Sequence, residues 1–427
     1  MALTPDDSRL KFASQYPDLG TGPISLEDSL SPEFFELERE AIWRRTWLCV
    51  GRVEQVAKQG SYFTREIAVC NTSILIVRGA DNRIRAFHNM CSHRGNKLAW
   101  SGDYRLETRG MCRQFTCKYH GWRYGLDGSL THITQEEDYP ELDKRDYGLT
   151  PVALDLWEGF IFVNLDSQPR QTLAEFLGEM GEGLKGYPFH QLTQVYGHRG
   201  VLNCNWKLDV DGFQEGYHAP YLHTRLMNPE GRADFMTSGW QGSSYKLLGP
   251  HRLWTSSGVG NGQIRPIERL LQAGLGGSFK VPDIGLREFP KLLNVNRDRD
   301  WGADLFQIFP NYVIFIYASN IMFTYQYWPL DVDHHIFEGR TYYVPPKNAG
   351  ERLAQEISNV SFKEYWLQDA NALEACYGML KSRAKTRFPL SDQEIQIRHF
   401  HKVVNEYVNA YLAERESGRT ENNNGNR

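Results

Sequence analysis

Two pairs of residues in the first third of the chain carry metal-ligand chemistry. Cys91-Ser92-His93 is followed by Cys117-Lys118-Tyr119-His120. Each pair is short enough for one loop to present a thiolate and an imidazole together. Two cysteines and two histidines can hold tetrahedral zinc. They can also hold a [2Fe–2S] cluster, with the histidines on one iron and the cysteines on the other. Zinc fingers usually separate their Cys pair from their His pair. Here each loop contributes one of each, which suits a cluster gripped between two loops. Cys112 lies close by without a histidine at the matching offset and reads as structural.

A second group lies at Asp209–His223. Two neutral imidazoles and one carboxylate leave open positions on an iron for O₂ and substrate. His218 and His223 are five residues apart, about 140° around a regular helix, so they would not share a face. Pro220 between them should distort or end the helix and let both rings turn to one metal. On spacing alone, two histidines satisfied separately remain an alternative. The carboxylate must come from elsewhere, and Asp369 is the best candidate. It stands in an otherwise apolar helical stretch, where a buried carboxylate needs a partner; on spacing alone, a residue on a solvated helix face remains the alternative. Asp209, Asp211 and Glu374 are lesser alternatives. Glu215 precedes His218 by three residues and shares its helical face.

Several elements must position these side chains. Ser31-Pro32-Glu33-Phe34 opens a helix expected over 26–47. From residue 47 to 165 short alternating runs are split by turn residues, as at Ser73–Val77, Asp81-Asn82, Ile84–Phe87, Gly125–Ser129 and Gly159–Asn164, giving a small antiparallel β domain. Helical patterning returns at Leu173–Leu184. Residues 226–300 read as long loops with one helix near Ile267–Ala273. Tyr312–Trp328 and Ile336–Val344 read as long antiparallel strands. Helices are expected over 350–382 and around Asp392–Arg415. The polar, Asn/Gly-rich tail from Glu416 is expected to be disordered.

The chain has 427 residues, so two domains are expected. Its net charge of −4 gives no basic excess for nucleic acid or an anionic membrane. The strongest apolar stretch, Val313–Phe323, is too short to span a bilayer. Seven thinly spread cysteines, with no secretory pattern at the start, argue against a disulfide scaffold and for a cytoplasmic location. Cys49, Cys70, Cys204 and Cys376 read as buried small hydrophobes.

Cys91-Ser92-His93-Arg94-Gly95 and Cys117-Lys118-Tyr119-His120-Gly121-Trp122 together resemble the Rieske motif of aromatic-ring-hydroxylating oxygenase α subunits. Two features depart from the usual pattern. Twenty-three residues separate His93 from Cys117, a longer finger than usual, and Lys118 stands where Pro is common. The likeness extends through Phe309-Pro310-Asn311 and Trp328-Pro329-Leu330 to about residue 412.

The resemblance implies an α+β fold, a Rieske-type antiparallel β domain inserted into a helix-grip (START-like) catalytic domain with a curved antiparallel sheet. Expected borders are 1–46 and 167–415 for the catalytic part and 47–166 for the Rieske domain, with 416–427 as tail. It implies a [2Fe–2S] cluster on Cys91, His93, Cys117 and His120, and mononuclear Fe(II) on His218, His223 and Asp369, because Gln368-Asp369 falls where the family places its aspartate. It casts Glu215 as the acidic link between an iron histidine and a cluster histidine of the adjacent subunit, where Asp is commoner. Gly212 replaces a more usual Asn. Electrons are expected from NAD(P)H through a flavin reductase, with or without a ferredoxin, in a homotrimer or α3β3 assembly. The products would be a cis-dihydrodiol, a monohydroxylated compound or an aldehyde from dealkylation. Apolar and aromatic residues within 205–330 suit an aromatic substrate, and Arg225, Arg252 and Arg265 could meet a carboxylate. A Rieske electron carrier without oxygenase activity and a zinc-stabilised binding protein are the alternatives.

Overall fold

A computed structural model describes residues 11–224, 244–257, 286, 288–299, 301–317 and 321–424. The chain divides into two compact units. One comprises Ile42–Phe176, and the other joins Met1–Ala41 to Leu177–Arg427. The first is thus an insertion in the second. The expected borders at 47 and 166 fall inside the inserted unit.

The inserted unit is built on seven antiparallel strands. In chain order the first four are β1 (Leu48–Arg52), β2 (Ser61–Ile67), β3 (Thr72–Arg78) and β4 (Ile84–His88). β5 (Arg109–Met111) follows, and β9 (Pro151–Trp157) and β10 (Phe160–Asn164) close the set. Their order in the sheet is β1-β10-β9-β4-β3-β2-β5. A separate three-stranded sheet joins β6 (Phe115–Thr116), β7 (Arg123–Tyr124) and β8 (Leu130–His132). Cys91 and Cys117 sit in the apolar core between them, with Leu75, Phe87, Trp122, Tyr124 and Leu149.

The larger unit carries a seven-stranded antiparallel sheet. Its strands are β11 (Gln194–Leu202), β12 (Ser244–Leu248), β13 (His251–Ser257), β14 (Trp301–Ile308), β15 (Tyr312–Tyr317), β16 (Ile321–Pro329) and β17 (His335–Tyr343). They lie in the order β11-β17-β16-β15-β14-β13-β12. Helix α1 (Pro32–Glu38) starts where the Ser31 hydroxyl accepts from Phe34 N, the N-cap geometry that Ser favours. Further on come α2 (Leu173–Leu184), α3 (Trp206–Gly212), the single turn α4 (Ala219–Leu222), α5 (Ala349–Leu380) and α6 (Ile395–Asn424). The Asn205 side chain caps α3 and the Asn348 side chain caps α5.

Several expectations need correction. The helix foreseen over 26–47 is a short 3₁₀ turn, Glu27–Ser29, then α1 and a π-helical turn, Arg39–Trp43. Pro32 fits only the first helical turn, so the helix cannot begin earlier without losing its cap. The stretch read as one strand, Tyr312–Trp328, is two strands, because Tyr317 pairs with Ile321 and the chain reverses between them. Its side chains are apolar on both faces, which hides the reversal from an alternation test. The loops foreseen over 226–300 include the paired strands β12 and β13. The helix foreseen near Ile267–Ala273 lies outside the described residues. The tail foreseen as disordered from 416 continues α6 through Asn424, since a formed helix extends at little further cost per residue. Cys376 is exposed rather than buried.

Candidate metal and oxygen-activation sites

In the inserted unit the two Cys/His loops have matching backbones. Gly95 N donates to Cys91 O at 3.0 Å, and Gly121 N donates to Cys117 O at 3.0 Å. Both glycines have positive φ, +73° and +77°, which a side chain would resist. The loops bring His93 Nδ1 within 3.1 Å of His120 Nδ1. The His93 ring stacks on Trp122 at 4.8 Å. Tyr124 anchors the cysteine side: its hydroxyl lies 3.2 Å from Cys91 Sγ and accepts from Ser92 N at 3.0 Å. Asn96 Nδ2 donates to Cys117 Sγ at 3.7 Å.

These residues fit an iron–sulfur cluster. Both thiols are buried and both imidazoles are partly exposed. Two ring nitrogens converge with no carboxylate between them. Burial pushes the Cys91 thiol above its ordinary range, so a thiolate there needs a cation to hold it. Cys112 is half-buried and its thiol is pushed up to about 11 by burial.

The second site lies in the larger unit. His218 and His223 flank the turn α4, with rings 5.2 Å apart and 76° between their planes. Pro220 sits in the first turn of α4. It therefore starts this turn rather than breaking a longer helix, because its missing N–H is not needed there. Asp369 enters from α5, buried. Its Oδ1 lies 3.4 Å from His218 Nε2 and 3.2 Å from His223 Nε2. The ligand atoms of the three residues fall within 4.8 Å of one another, close enough to share one ion.

The outward nitrogen of each ring is occupied. His218 Nδ1 donates to Glu215 Oε1 at 2.5 Å, and His218 N donates to Glu215 Oε2 at 3.1 Å. His223 Nδ1 donates to Gln368 Oε1 at 3.0 Å. Placing a proton on each Nδ1 leaves each Nε2 as the free lone pair facing Asp369, the arrangement metal-bound histidines need. Burial disfavours charge on His218, but Asp369 and Glu215 together outweigh it and push its pKa up to about 10. Asp369 is held below the ordinary carboxylate range, the two histidines outweighing burial. The donor set of two imidazoles and a carboxylate fits a non-haem iron with open positions.

The lesser acidic candidates have other partners. Asp209 pairs with His335 at 2.7 Å, both fully buried. Asp211 pairs with His401 at 2.9 Å. Glu374 accepts from Asn203 N and Nδ2. Arg252 is buried, donating to Gln307 Oε1 and Pro250 O. Arg225 and Arg265 lie outside the described residues. In the sequence Gln368 stands only as the neighbour of Asp369, and its hold on His223 depends on helix rotation that a single sequence does not display.

A cavity of about 140 Å³ adjoins the three residues. Its walls are aromatic: Phe213, Trp254, Phe315, Tyr317, Tyr325, Phe362, Tyr365 and Trp366. Among the described residues no lysine or arginine lines it. Tyr365 meets the His223 ring edge-on at 4.9 Å. A larger apolar groove of about 580 Å³ adjoins Gly212 and Glu215 as well. These two residues therefore line both spaces. Among the described residues no helix is long and apolar enough to cross a membrane.

Residues 189–410 match the family described as ring hydroxylating alpha subunit (catalytic domain), and residues 46–144 match the Rieske [2Fe-2S] domain. Choline monooxygenase of Beta vulgaris is 33% identical over 198 residues, 45% of this chain and 42% of that protein. The carnitine monooxygenase oxygenase subunit of Escherichia coli K12 is 34% identical over 191 residues, 44% and 49% of the two chains. This chain thus spans about half the length of the curated relatives it matches. Among solved structures, the quaternary ammonium Rieske monooxygenase CntA has a TM-score of 0.71 at 21% identity, covering 95% of this chain and 98% of that one. Naphthalene 1,2-dioxygenase from Rhodococcus sp. has a TM-score of 0.70 at 19% identity, covering 94% and 97%. With residues 189–410, over half of its length, matching that catalytic domain and a Rieske domain matching before it, this chain belongs to the ring hydroxylating alpha subunit family.

Proposed function

We propose that the chain is the terminal oxygenase component of a Rieske-type system, adding oxygen from O₂ to a small organic substrate. The convergence of His218, His223 and Asp369 beside an aromatic cavity carries this reading. Cys91, His93, Cys117 and His120 would hold the cluster, and the three convergent residues would hold the iron. Bound there, the iron supplies O₂ activation with electrons relayed through the cluster from an NAD(P)H-linked reductase. Glu215 and Gln368 keep the imidazoles in the ligating tautomer. The aromatic walls exclude water and orient the substrate. Glu215 lies on the wall shared with the outer groove, and its carboxylate is the bridge toward a cluster histidine of a neighbouring subunit in a trimer.

Two substrate classes suit aromatic walls. A flat ring can stack on them, and a methylated ammonium group is attracted to their faces. The choline and carnitine monooxygenase relatives, together with the lack of a lining lysine or arginine among the described residues, favour the second for first trial, with oxidative demethylation or hydroxylation as the reaction. The test is anaerobic reconstitution, iron and sulfide analysis, then O₂ consumption with a surrogate reductase. Choline, betaines and simple aromatic compounds are the substrate panel. Two cluster irons plus one further iron per chain, with substrate-stimulated O₂ uptake, are expected. Zinc without sulfide would overturn the reading, and cluster iron alone would leave an electron carrier.

A further inference from the structure

Glu215 can hold His218 only if its own backbone is held, and that backbone follows Gly212, a residue with the freest dihedrals of all. The segment is anchored from outside. On α6, His401 places Nδ1 3.1 Å from Asp28 Oδ2 and Nε2 2.9 Å from Asp211 Oδ2, and its side chain is 7% exposed. A ring with both nitrogens facing carboxylate oxygens must donate from both, which only the protonated imidazole does. Asp211 passes the hold along. Its Oδ1 accepts from Gln214 Nε2 at 3.2 Å, and its carbonyl accepts from Gln214 N at 3.0 Å. Gln214 is fully buried and directly precedes Glu215. A second arm reaches the same segment, as Arg252 Nε donates to Gln307 Oε1 and Gln307 Nε2 donates to the Phe213 carbonyl at 3.1 Å.

We propose that His401, as an imidazolium clamped between Asp28 and Asp211, is a positioning residue that sets Glu215 against His218 and so governs electron transfer between the two centres. The inference rests on the function proposed above and deepens it. Three stretches far apart in sequence meet at this one ring, so it ties the N-terminal segment and α6 to the end of α3. The charged groups around it are Asp28 and Asp211 directly, Lys207 acting on Asp28, and Arg252 acting on Asp211. Glu394 senses both Asp211 and Glu215. Burial disfavours the charged ring, but Asp211 and Asp28 outweigh it and push its pKa up to about 10.

The test uses His401→Gln and, because a lone Gln strands one carboxylate, the pair His401→Gln with Asp28→Asn. In iron-free, ¹⁵N-histidine-labelled protein, both His401 ring nitrogens should be protonated from about pH 6 to about pH 9. A neutral tautomer in that range would overturn the proposal. In reconstituted protein, both variants should keep the cluster spectrum and the mononuclear iron. Transfer from a photoreduced cluster to ferric iron, followed by the loss of its EPR signal, should slow roughly tenfold. A wild-type transfer rate in the double variant, or loss of its iron, would overturn the proposal. The NMR arm needs no iron and so stands or fails separately from the proposed function. Wild-type protein that binds neither cluster nor iron would overturn both.

Discussion

Gln368 and Asp369 are consecutive residues of one helix, yet they grip the two opposite nitrogens of a single ring. Gln368 Oε1 lies 3.0 Å from His223 Nδ1, and Asp369 Oδ1 lies 3.2 Å from His223 Nε2. One short stretch of backbone thus offers both a proposed ligand and the group that would orient another.

Asp369→Ala should keep the cluster absorption and lose the mononuclear iron and turnover. Gln368→Ala should retain the ligand set but weaken iron binding by about 10–100-fold, as loss of an outer hydrogen bond does. Iron titration with a competing chelator measures both. Full iron and activity in the Asp369 variant would make it an ordinary buried helix residue.

Iron affinity should rise with pH. Fe(II) needs the neutral His218 ring, whose pKa stands at about 10 in the metal-free protein. Below that value binding must displace a proton. Apparent affinity should therefore climb by up to about tenfold per pH unit through the neutral range and level off near pH 10. A flat profile from about pH 6 to about pH 8 would show that no proton leaves on binding.

Tyr124→Phe should lower the reduction potential of the cluster without removing it. The phenol hydrogen-bonds Cys91 Sγ, and hydrogen bonds to cluster sulfurs stabilise the reduced, more negative form. Cys117→Ser should bleach the cluster outright. Protein-film voltammetry distinguishes a shifted potential from a lost centre, and an unmoved potential in Tyr124→Phe would rule out a bond to the ligand sulfur.

Glu215→Gln should leave both centres occupied and slow reoxidation of the pre-reduced cluster by O₂ in single turnover. The amide still occupies the space beside His218 but presents no negative charge to its Nδ1–H. Iron loss in this variant would recast Glu215 as a support of the ligand set, and a wild-type rate would take it off the electron path.

Lys207→Met should destabilise the larger unit by about 3–5 kcal/mol, the usual cost of stranding one partner of a buried ion pair. Lys207 is ion-paired to Glu38, both fully buried, and Trp206 Nε1 donates to the same carboxylate at 3.0 Å. Burial pushes Glu38 above the ordinary carboxylate range even with Lys207 beside it. Chemical denaturation followed by tryptophan fluorescence should show the loss, and Glu38→Gln in the same background should recover part of it.

The inserted β unit and its paired loops were legible because short alternating runs and Cys/His spacing are local signals. The second centre was legible only as a cluster of candidates. His218 and His223 lie in one segment, but Asp369 comes from 146 positions further on, and spacing cannot say which distant carboxylate folds back. The partners of Asp209 and Asp211, His335 and His401, were invisible for the same reason. The tail reads as disordered because polarity alone cannot reveal that α6 is nucleated upstream, where Ile395, Phe400 and Val404 are buried.

Much of the cavity wall comes from the sheet, which carries none of the three convergent residues. Trp254, Leu305, Phe315, Tyr317 and Tyr325 project from β13 to β16, whereas His218, His223 and Asp369 sit at α4 and on α5. Phe315 and Tyr317 are two apart on one strand, so they share a face, and neither lies on an element that carries His218, His223 or Asp369. On the proposed function, substrate range could drift by exchanges on the sheet that leave the three convergent residues in place, which makes these strand positions the first to randomise in an engineering library.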